Sequence, residues 1–386
     1  MKRTWILSAI VVCGLAAAVG AAQRDAGAGQ GAGRGGGGGG RGGAPTTGAI
    51  QHVKDNLYKI SGGRGAGNST VFIREDGVVL VDTQIASNGE AILKQVRTVT
   101  DKPVTLIINT HQHPDHNGSN FYFKDQKPNY IQVVAHENVK KGMSAAARPI
   151  PATIPDLTFS SSMRLGSGKD RIDLYYFGAG HTNGDAFVVF PALRAMCIGD
   201  LMAWNMAPLI DPASGGSVIE LGKTLAKAQA GIKNVDLVIE GHGNVNTWKG
   251  MIAYGDFMRA LVQTARTGLA KKQTTEQALA ELKKNPKFAV FVGTELLKDL
   301  EYGDTPEHRA LINLNVAYQE LRGEPVTSYF GPPVSIGPEK GSAPPPRGGG
   351  PGARPGGPGG PGGGGAPANP GGGQAPSAPA TPPNNR

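Results

Sequence analysis

Val104-Thr105-Leu106-Ile107-Ile108 runs directly into Asn109-Thr110-His111-Gln112-His113-Pro114-Asp115-His116. The first five residues form a nearly continuous apolar run, which suits a strand buried on both faces. The next eight hold four potential metal ligands: His111, His113, Asp115 and His116. In extended chain, residues i and i+2 point to the same side. His111 and His113 can therefore reach one ion together. Pro114 makes the chain turn, so Asp115 and His116 can face a second ion close by. Imidazole and carboxylate together suit Zn²⁺ and related first-row ions.

Outward from this stretch the chain alternates short apolar runs with helical spacing. Asn56–Ser61, Ser69–Arg74 and Val78–Asp82 read as strands between turns. Ser87–Val99 reads as a helix through Ile92, Leu93 and Val96. Ile131–Ala135 reads as another buried strand, with a helix from Glu137. The second half repeats the scheme. Ile172–Phe177, Ala186–Phe190, Ala195–Ile198 and Val235–Ile239 are strand-like, and Val218–Ile232 is helical. Helices follow at Trp248–Leu269, Thr275–Lys283 and Pro306–Leu321. Two strand-rich halves with helices outside them predict an α/β (α+β) fold, a sandwich of two mixed sheets between helical layers.

Three further motifs follow the first in order. They are Gly178-Ala179-Gly180-His181-Thr182-Asn183-Gly184-Asp185, Ile198-Gly199-Asp200, and Ile239-Glu240-Gly241-His242-Gly243. Each sits at the end of an apolar run. The His-x-His-x-Asp-His stretch with these three resembles the pattern of the metallo-β-lactamase superfamily, over about residues 50–265. The resemblance implies a four-layer αββα sandwich with the metal site at one edge. It implies a first metal held by His111, His113 and His181. A second would be held by Asp115, His116 and His242, with Asp200 bridging the two. Five of the eight histidines fall in these motifs.

Such a site carries two divalent ions, zinc by default, with iron or manganese fitting the same donors. Two ions lower the pKa of a bridging water until it is hydroxide near neutral pH. Asp115 then orients that nucleophile and accepts a proton, which makes it the candidate catalytic residue. Other residues carry weaker expectations. Asp185 either hydrogen-bonds a ligand histidine or is a turn residue. His136 is read as structural, and His52 and His308 have no supporting context. Cys197 is expected as a buried, inert thiol. Trp204 and Met206 either line the substrate cleft or pack in the core. Ser217 is an expected N-cap, with a phosphate cradle at Ser214-Gly215-Gly216-Ser217 as the weaker alternative.

The ends differ from the middle. Residues 1–22 read as a secretory signal, with Lys2 and Arg3 before the apolar stretch Trp5–Val19 and cleavage after Ala22. An uncleaved anchor is the rival reading. Export, to the periplasm or the medium, follows from either cleavage or anchoring. Residues 23–45 form a Gly-rich linker and residues 337–386 a Pro/Gly-rich tail. Neither can bury enough apolar surface to offset ordering entropy. Between them, residues 46–265 are expected to form the β-lactamase-like domain, with a helical extension, 266–336, packed on it. The net charge of +9 belongs mostly to the ends. Nine basic and two acidic residues lie there, which leaves 30 basic and 28 acidic residues in the core from totals of 39 and 30. A basic surface built for nucleic acid is not supported.

The site gives a reaction class and not a substrate. The leading expectation is an exported hydrolase acting on a small-molecule ester, thioester, lactone or amide. A β-lactamase proper is the sharper alternative. Against it, true β-lactamases of the superfamily usually place cysteine or a non-ligand serine where Asp200 stands here. A nucleic-acid-processing relative would need a large extra domain between Asp200 and His242, where only 41 residues lie. A flavin-linked di-iron oxidoreductase would need a flavin-binding domain. A non-catalytic metal-binding or interaction module is the remaining class, and retention of all seven ligands argues against it.

Overall fold

The computed structural model describes residues 47–63, 65–125, 131–146, 149–295 and 304–326. The expected signal segment 1–22, the linker 23–45 and the tail 337–386 lie outside the described residues. The first sheet follows sequence order: β1 (Ile50–Lys54), β2 (Leu57–Ile60), β3 (Ser69–Ile73), β4 (Val78–Val81), β5 (Val104–Ile108), β6 (Gln132–His136) and β7 (Leu157–Phe159). Pairing is antiparallel from β1 to β4 and parallel from β4 to β7. Helices α1 (Gly89–Arg97), α2 (Pro114–Asn117), α3 (Asn120–Lys124) and α4 (Glu137–Ala145) lie in its connections.

The second sheet holds β8 (Ser162–Leu165), β9 (Ile172–Tyr175), β10 (Phe187–Phe190), β11 (Ala195–Cys197), β12 (Leu237–Ile239) and β13 (Val245–Thr247), in the order β13-β12-β11-β10-β9-β8. Its one parallel pair, β11 with β12, is joined by α5 (Val218–Gly231). Helices α6 (Trp248–Ala270), α7 (Thr275–Lys283) and α8 (Pro306–Arg322) follow.

Side-chain alternation builds the layers. Val79 and Val81 of β4 enter the core between the sheets, while Val78 and Leu80 enter a second core with Ile92 and Val96 of α1. Val188 and Phe190 of β10 join the inter-sheet core. Phe187 and Val189 face the opposite way, into a third core with α5, α6, α7 and α8. This is the period of two expected for strands buried on both faces. The result is two mixed β-sheets with flanking helices, as the sequence predicts.

The differences from expectation have physical causes. β1, β7, β8 and β13 were not among the strands read from the sequence. They are short and partly exposed, and all four lie at sheet edges, so no apolar run marks them. The boundary expected at 265/266 falls inside α6, whose Met258, Leu261, Val262 and Ala265 share one core with Ala278 of α7 and Leu314 of α8. The helical extension therefore begins within a continuous helix rather than at a break.

Ser217 caps α5, accepting from Glu220 N at 3.1 Å. The rest of that terminus is taken by Glu320 of α8. Its carboxylate accepts from Val218 N at 2.9 Å, Ile219 N at 3.2 Å and Ser217 Oγ at 2.7 Å. The two amides are donors that a helix start leaves without intrahelical partners. An acidic side chain thus stands where a phosphate cradle was one alternative, which removes that alternative. Glu320→Ala should cost about 1–2 kcal/mol of stability, measured by urea unfolding. An unchanged midpoint would mean that water replaces the carboxylate at no cost.

Candidate metal centre

All four motifs end strands on the same edge of the sandwich. The residues after β5 supply His111, His113, Asp115 and His116; the loop after β9 supplies His181; the turn after β11 supplies Asp200; the turn after β12 supplies His242. Pro114 starts α2, a single turn that carries Asp115 and His116. One ring nitrogen from each of His111, His113 and His181 lies within 4.8 Å of the other two. The ligand atoms of Asp115, His116, Asp200 and His242 form a second such group. His181 Nε2 faces His113 Nδ1 at 2.8 Å, and His116 Nε2 faces His242 Nε2 at 3.2 Å. Asp200 reaches towards both groups. Its Oδ1 is 3.2 Å from His116 Nε2, and its Oδ2 is 3.4 Å from His242 Nε2 and 3.7 Å from His181 Nε2.

Outer partners fix four of the five rings. Thr110 Oγ1 lies 3.0 Å from His111 Nδ1. Asp211 Oδ2 lies 2.8 Å from His113 Nε2, and Asp82 Oδ2 lies 2.9 Å from His116 Nδ1. The Leu209 carbonyl bonds His181 Nδ1. His242 is held differently: Trp204 stacks on its ring, with centroids 4.3 Å apart and planes inclined by 26°. A partner on the far nitrogen sets ring orientation and leaves the near nitrogen aimed inward.

Asp82, Asp211 and the stacking role of Trp204 were not read from the sequence. The one signal for Asp82 is its place at the end of the Val78–Val81 run. Asp82 also accepts from Thr110 N at 2.8 Å and Thr110 Oγ1 at 2.7 Å. Asp185 does not bond a histidine. It accepts from Thr182 N at 2.8 Å and Thr182 Oγ1 at 2.7 Å, so it shapes the turn after His181. Burial pushes its carboxyl up to about 7. His136 stacks on Tyr176 at 3.8 Å and caps α4, a structural role. Cys197 is buried in the inter-sheet core, and desolvation pushes its thiol up to about 12. The protonated, buried thiol is no nucleophile at neutral pH, and Cys197 belongs to neither ligand group. Met206 is fully buried, whereas Trp204 is half-buried.

The two groups differ electrically. Burial, reinforced by neighbouring histidines, lowers His111 well below its usual value and His181 to about 4. Both are neutral at pH 7, as ligation requires. In the other group burial opposes charge, but the carboxylates win. Asp200 and Asp115 push His242 up to about 9 and His116 well above its usual value. The same pairings hold Asp115 and Asp200 well below the usual carboxylate range despite their burial.

Close packing sets the last constraint. A Cβ built on Gly241 would overlap Asp200 Oδ1, so the turn before His242 accepts only glycine without moving the carboxylate. Gly199 precedes Asp200 at φ 52°, where its own Cβ would fall 2.5 Å from Thr110 Oγ1.

The donor set fits divalent ions. His111 Nε2 is buried with no hydrogen-bond partner, and Asp200 Oδ1 has none of acceptable geometry. Leaving such atoms buried and unpaired is costly, and an ion at their focus removes that cost. The side chains of His111 and His116 are fully buried, whereas Asp115 is 28% and His113 22% exposed. The centre therefore opens to solvent on the side of Asp115 and His113.

The family model of the Metallo-beta-lactamase superfamily matches residues 62–203. A protein named metallo-beta-lactamase type 2 from Elizabethkingia meningoseptica is 26% identical over 215 residues, 53% of this chain and 81% of that protein. One of the same name from Bacillus cereus is 24% identical over 194 residues, 50% of this chain and 73% of that protein. Among solved structures, a metallo-beta-lactamase from Pontibacter korlensis is 18% identical, with a TM-score of 0.49, over 54% of this chain and 98% of that one. With its fold, its ordered His and Asp motifs and the match over residues 62–203, the chain carries a domain of the metallo-beta-lactamase superfamily, a superfamily of metal-dependent hydrolases.

Proposed function

We propose that this protein is an exported dinuclear metal hydrolase, with zinc as the ion, acting on a small-molecule ester, thioester, lactone or amide. The observation that carries this reading is the pair of adjoining ligand groups, seven side chains with an unpartnered His111 Nε2 among them. His111, His113 and His181 would hold one ion; Asp115, His116 and His242 the other; Asp200 would be shared. Bound divalent ions supply a water of lowered pKa and stabilise developing negative charge on the substrate oxygen.

The chain's own residues do the rest. Asp115 is the most exposed of the seven, and its Oδ2 lies 3.1 Å from His242 Nε2. The pairing with His116 and His242 keeps it ionised. It is thus placed to orient the attacking water and take its proton. The water oxygen bonds to the carbonyl carbon, the bond to the leaving alkoxide, thiolate or amine breaks, and the proton passes to the leaving group. Hydrolysis of β-lactams is the second reading, favoured by the names of the relatives. Against it, the cysteine nearest Asp200 is buried in the inter-sheet core and belongs to neither ligand group.

The test is a metal count on the purified chain and turnover of nitrocefin, a thioester, a lactone and a phosphodiester before and after chelation. About two ions with chelator-sensitive turnover of one carbonyl substrate supports the proposal. Turnover of nitrocefin alone selects the β-lactamase reading. No metal after reconstitution sinks both. Export rests on the pattern of Lys2, Arg3 and Trp5–Val19, and fractionation of the producing cell tests it.

The charge asymmetry adds a pH prediction. In the metal-free chain His116 and His242 carry protons at pH 7, and ligation must displace them. Affinity of that group for zinc should fall by roughly tenfold per pH unit for each displaced proton as pH drops below about 9. His111 and His181 are already neutral, so their group should show a shallower slope. Calorimetry in buffers of different ionisation enthalpy counts the protons. Equal slopes for the two ions would contradict the assignment.

A further inference from the structure

We infer that helix α8 is part of the metal centre's support, and that Arg309 acts as a positioning residue for His242 through Trp204. The inference rests on reading the seven residues as a metal centre. It concerns a helix at 306–322, outside the residues 62–203 matched by the family model.

The contacts form a chain. Arg309 is 3% exposed and paired with Asp304. Its guanidinium carbon stands 5.7 Å from the centroid of the Trp204 ring. The same ring stacks on His242, with centroids 4.3 Å apart. A cation over an indole is favourable, more so when shielded from water. The indole therefore contacts both a buried guanidinium and a candidate ligand.

The segment carrying Trp204 needs holding. Trp204 and Asn205 have φ of 51° and 55°, a region costly for side chains other than glycine. Trp204 N donates to the His242 carbonyl at 3.1 Å, and Asn205 N donates to Glu240 Oε2 at 3.1 Å, so the segment is tied to the turn that presents His242. One helical turn beyond Arg309, Asn313 Nδ2 donates to the Pro208 carbonyl at 2.8 Å. The next residue, Leu209, offers the carbonyl that bonds His181. Two residues of one helix thus grip residues 204–208 at points that lead to one histidine of each group. Among the described residues, the outer nitrogen of His242 has no partner comparable to Asp82 on His116. The Trp204 stack takes over the orienting role.

The experiment titrates zinc into the metal-free full chain and follows indole emission and bound zinc together. In the wild type, the step that engages His242 should change the emission of Trp204. Trp204→Phe should remove that change. Arg309→Ala should weaken the ion of the His242 group about tenfold, the loss typical of an outer partner, and leave the other ion unchanged. Arg309→Lys, which keeps the cation, should restore part of the loss. Glu320→Ala anchors the comparison: it loosens α8 at its far end, so it should lower Tm and leave the ratio of the two affinities unaltered.

Trp204→Leu keeps an apolar side chain and serves if Arg309→Ala fails to fold. It should show the same selective loss. Wild-type affinities in Arg309→Ala and Trp204→Leu would overturn the inference and leave the metal centre standing. The same selective loss in Glu320→Ala would also overturn it, because loosening of the helix alone would then explain the effect. A wild-type chain that takes up no zinc would overturn the metal centre and this inference together.

Discussion

Asp200→Ala should reduce turnover by more than the 10- to 100-fold typical of losing an outer partner, and should lower the metal count below two. Asp200 places an oxygen near a histidine of each group. Its Oδ1 stands 3.2 Å from His116 Nε2, while its Oδ2 stands 3.7 Å from His181 Nε2. Alanine therefore removes a donor from each group at once. It also removes the carboxylate that, with Asp115, keeps His116 and His242 protonated in the metal-free chain. Their pKa values should fall, which nuclear magnetic resonance of the imidazole protons would register.

Two further substitutions separate shape from charge. Asp200→Asn keeps the volume and loses the charge, so it should fold and still lose metal. Asp200→Glu keeps the charge, but its extra methylene has no room. The Asp200 carboxylate already packs where a Cβ of Gly241 would lie. Glutamate should therefore fail to rescue. Two retained ions in Asp200→Ala, with turnover within tenfold of wild type, would remove Asp200 from the centre.

The four motifs could be read from the sequence because each is local. His111, His113, Asp115 and His116 sit within one turn of chain, and each other ligand follows its own apolar strand. The two sheets could be read for a similar reason. β4, β10 and β11 are buried on both faces and apolar throughout, and β5 departs from this only at the half-buried Thr105. The edge strands could not, since β8 alternates exposed and half-buried residues with no apolar run. The supports of the site were also hidden. Asp82 lies 34 residues from His116, and Asp211 lies 98 residues from His113. Glu320 lies more than a hundred residues from the helix start it caps. An aspartate after a strand or a glutamate late in a helix has no local signature of such a role. Only the folding of distant segments against one another creates it.

Asp82 should be the residue outside the seven whose loss costs the fold most. It is 1% exposed, and both oxygens are committed: Oδ1 to Thr110 N at 2.8 Å, Oδ2 to Thr110 Oγ1 at 2.7 Å and to His116 Nδ1 at 2.9 Å. Alanine would leave a buried amide, a hydroxyl and a protonated imidazole without this partner. Breaking a buried charge pair from one side costs about 3–5 kcal/mol. Alanine adds strain as well, because Asp82 has φ of 62°, a conformation that Asp and Asn tolerate better than most residues. Asp82→Asn is the informative control. It keeps the backbone preference and one carbonyl acceptor for Thr110 N, and gives up the negative charge. It should cost about 1–3 kcal/mol, and it should turn the His116 ring by offering it an amide instead of a carboxylate. Metal affinity at the His116 group should then fall about 10- to 100-fold in both variants, while stability separates them. Urea unfolding of the metal-free proteins and zinc titration of the folded ones measure the two effects independently. Alanine within about 1 kcal/mol of wild type would mean that Asp115 and Asp200, 3.4 and 3.2 Å from His116 Nε2, suffice to hold the imidazolium without Asp82.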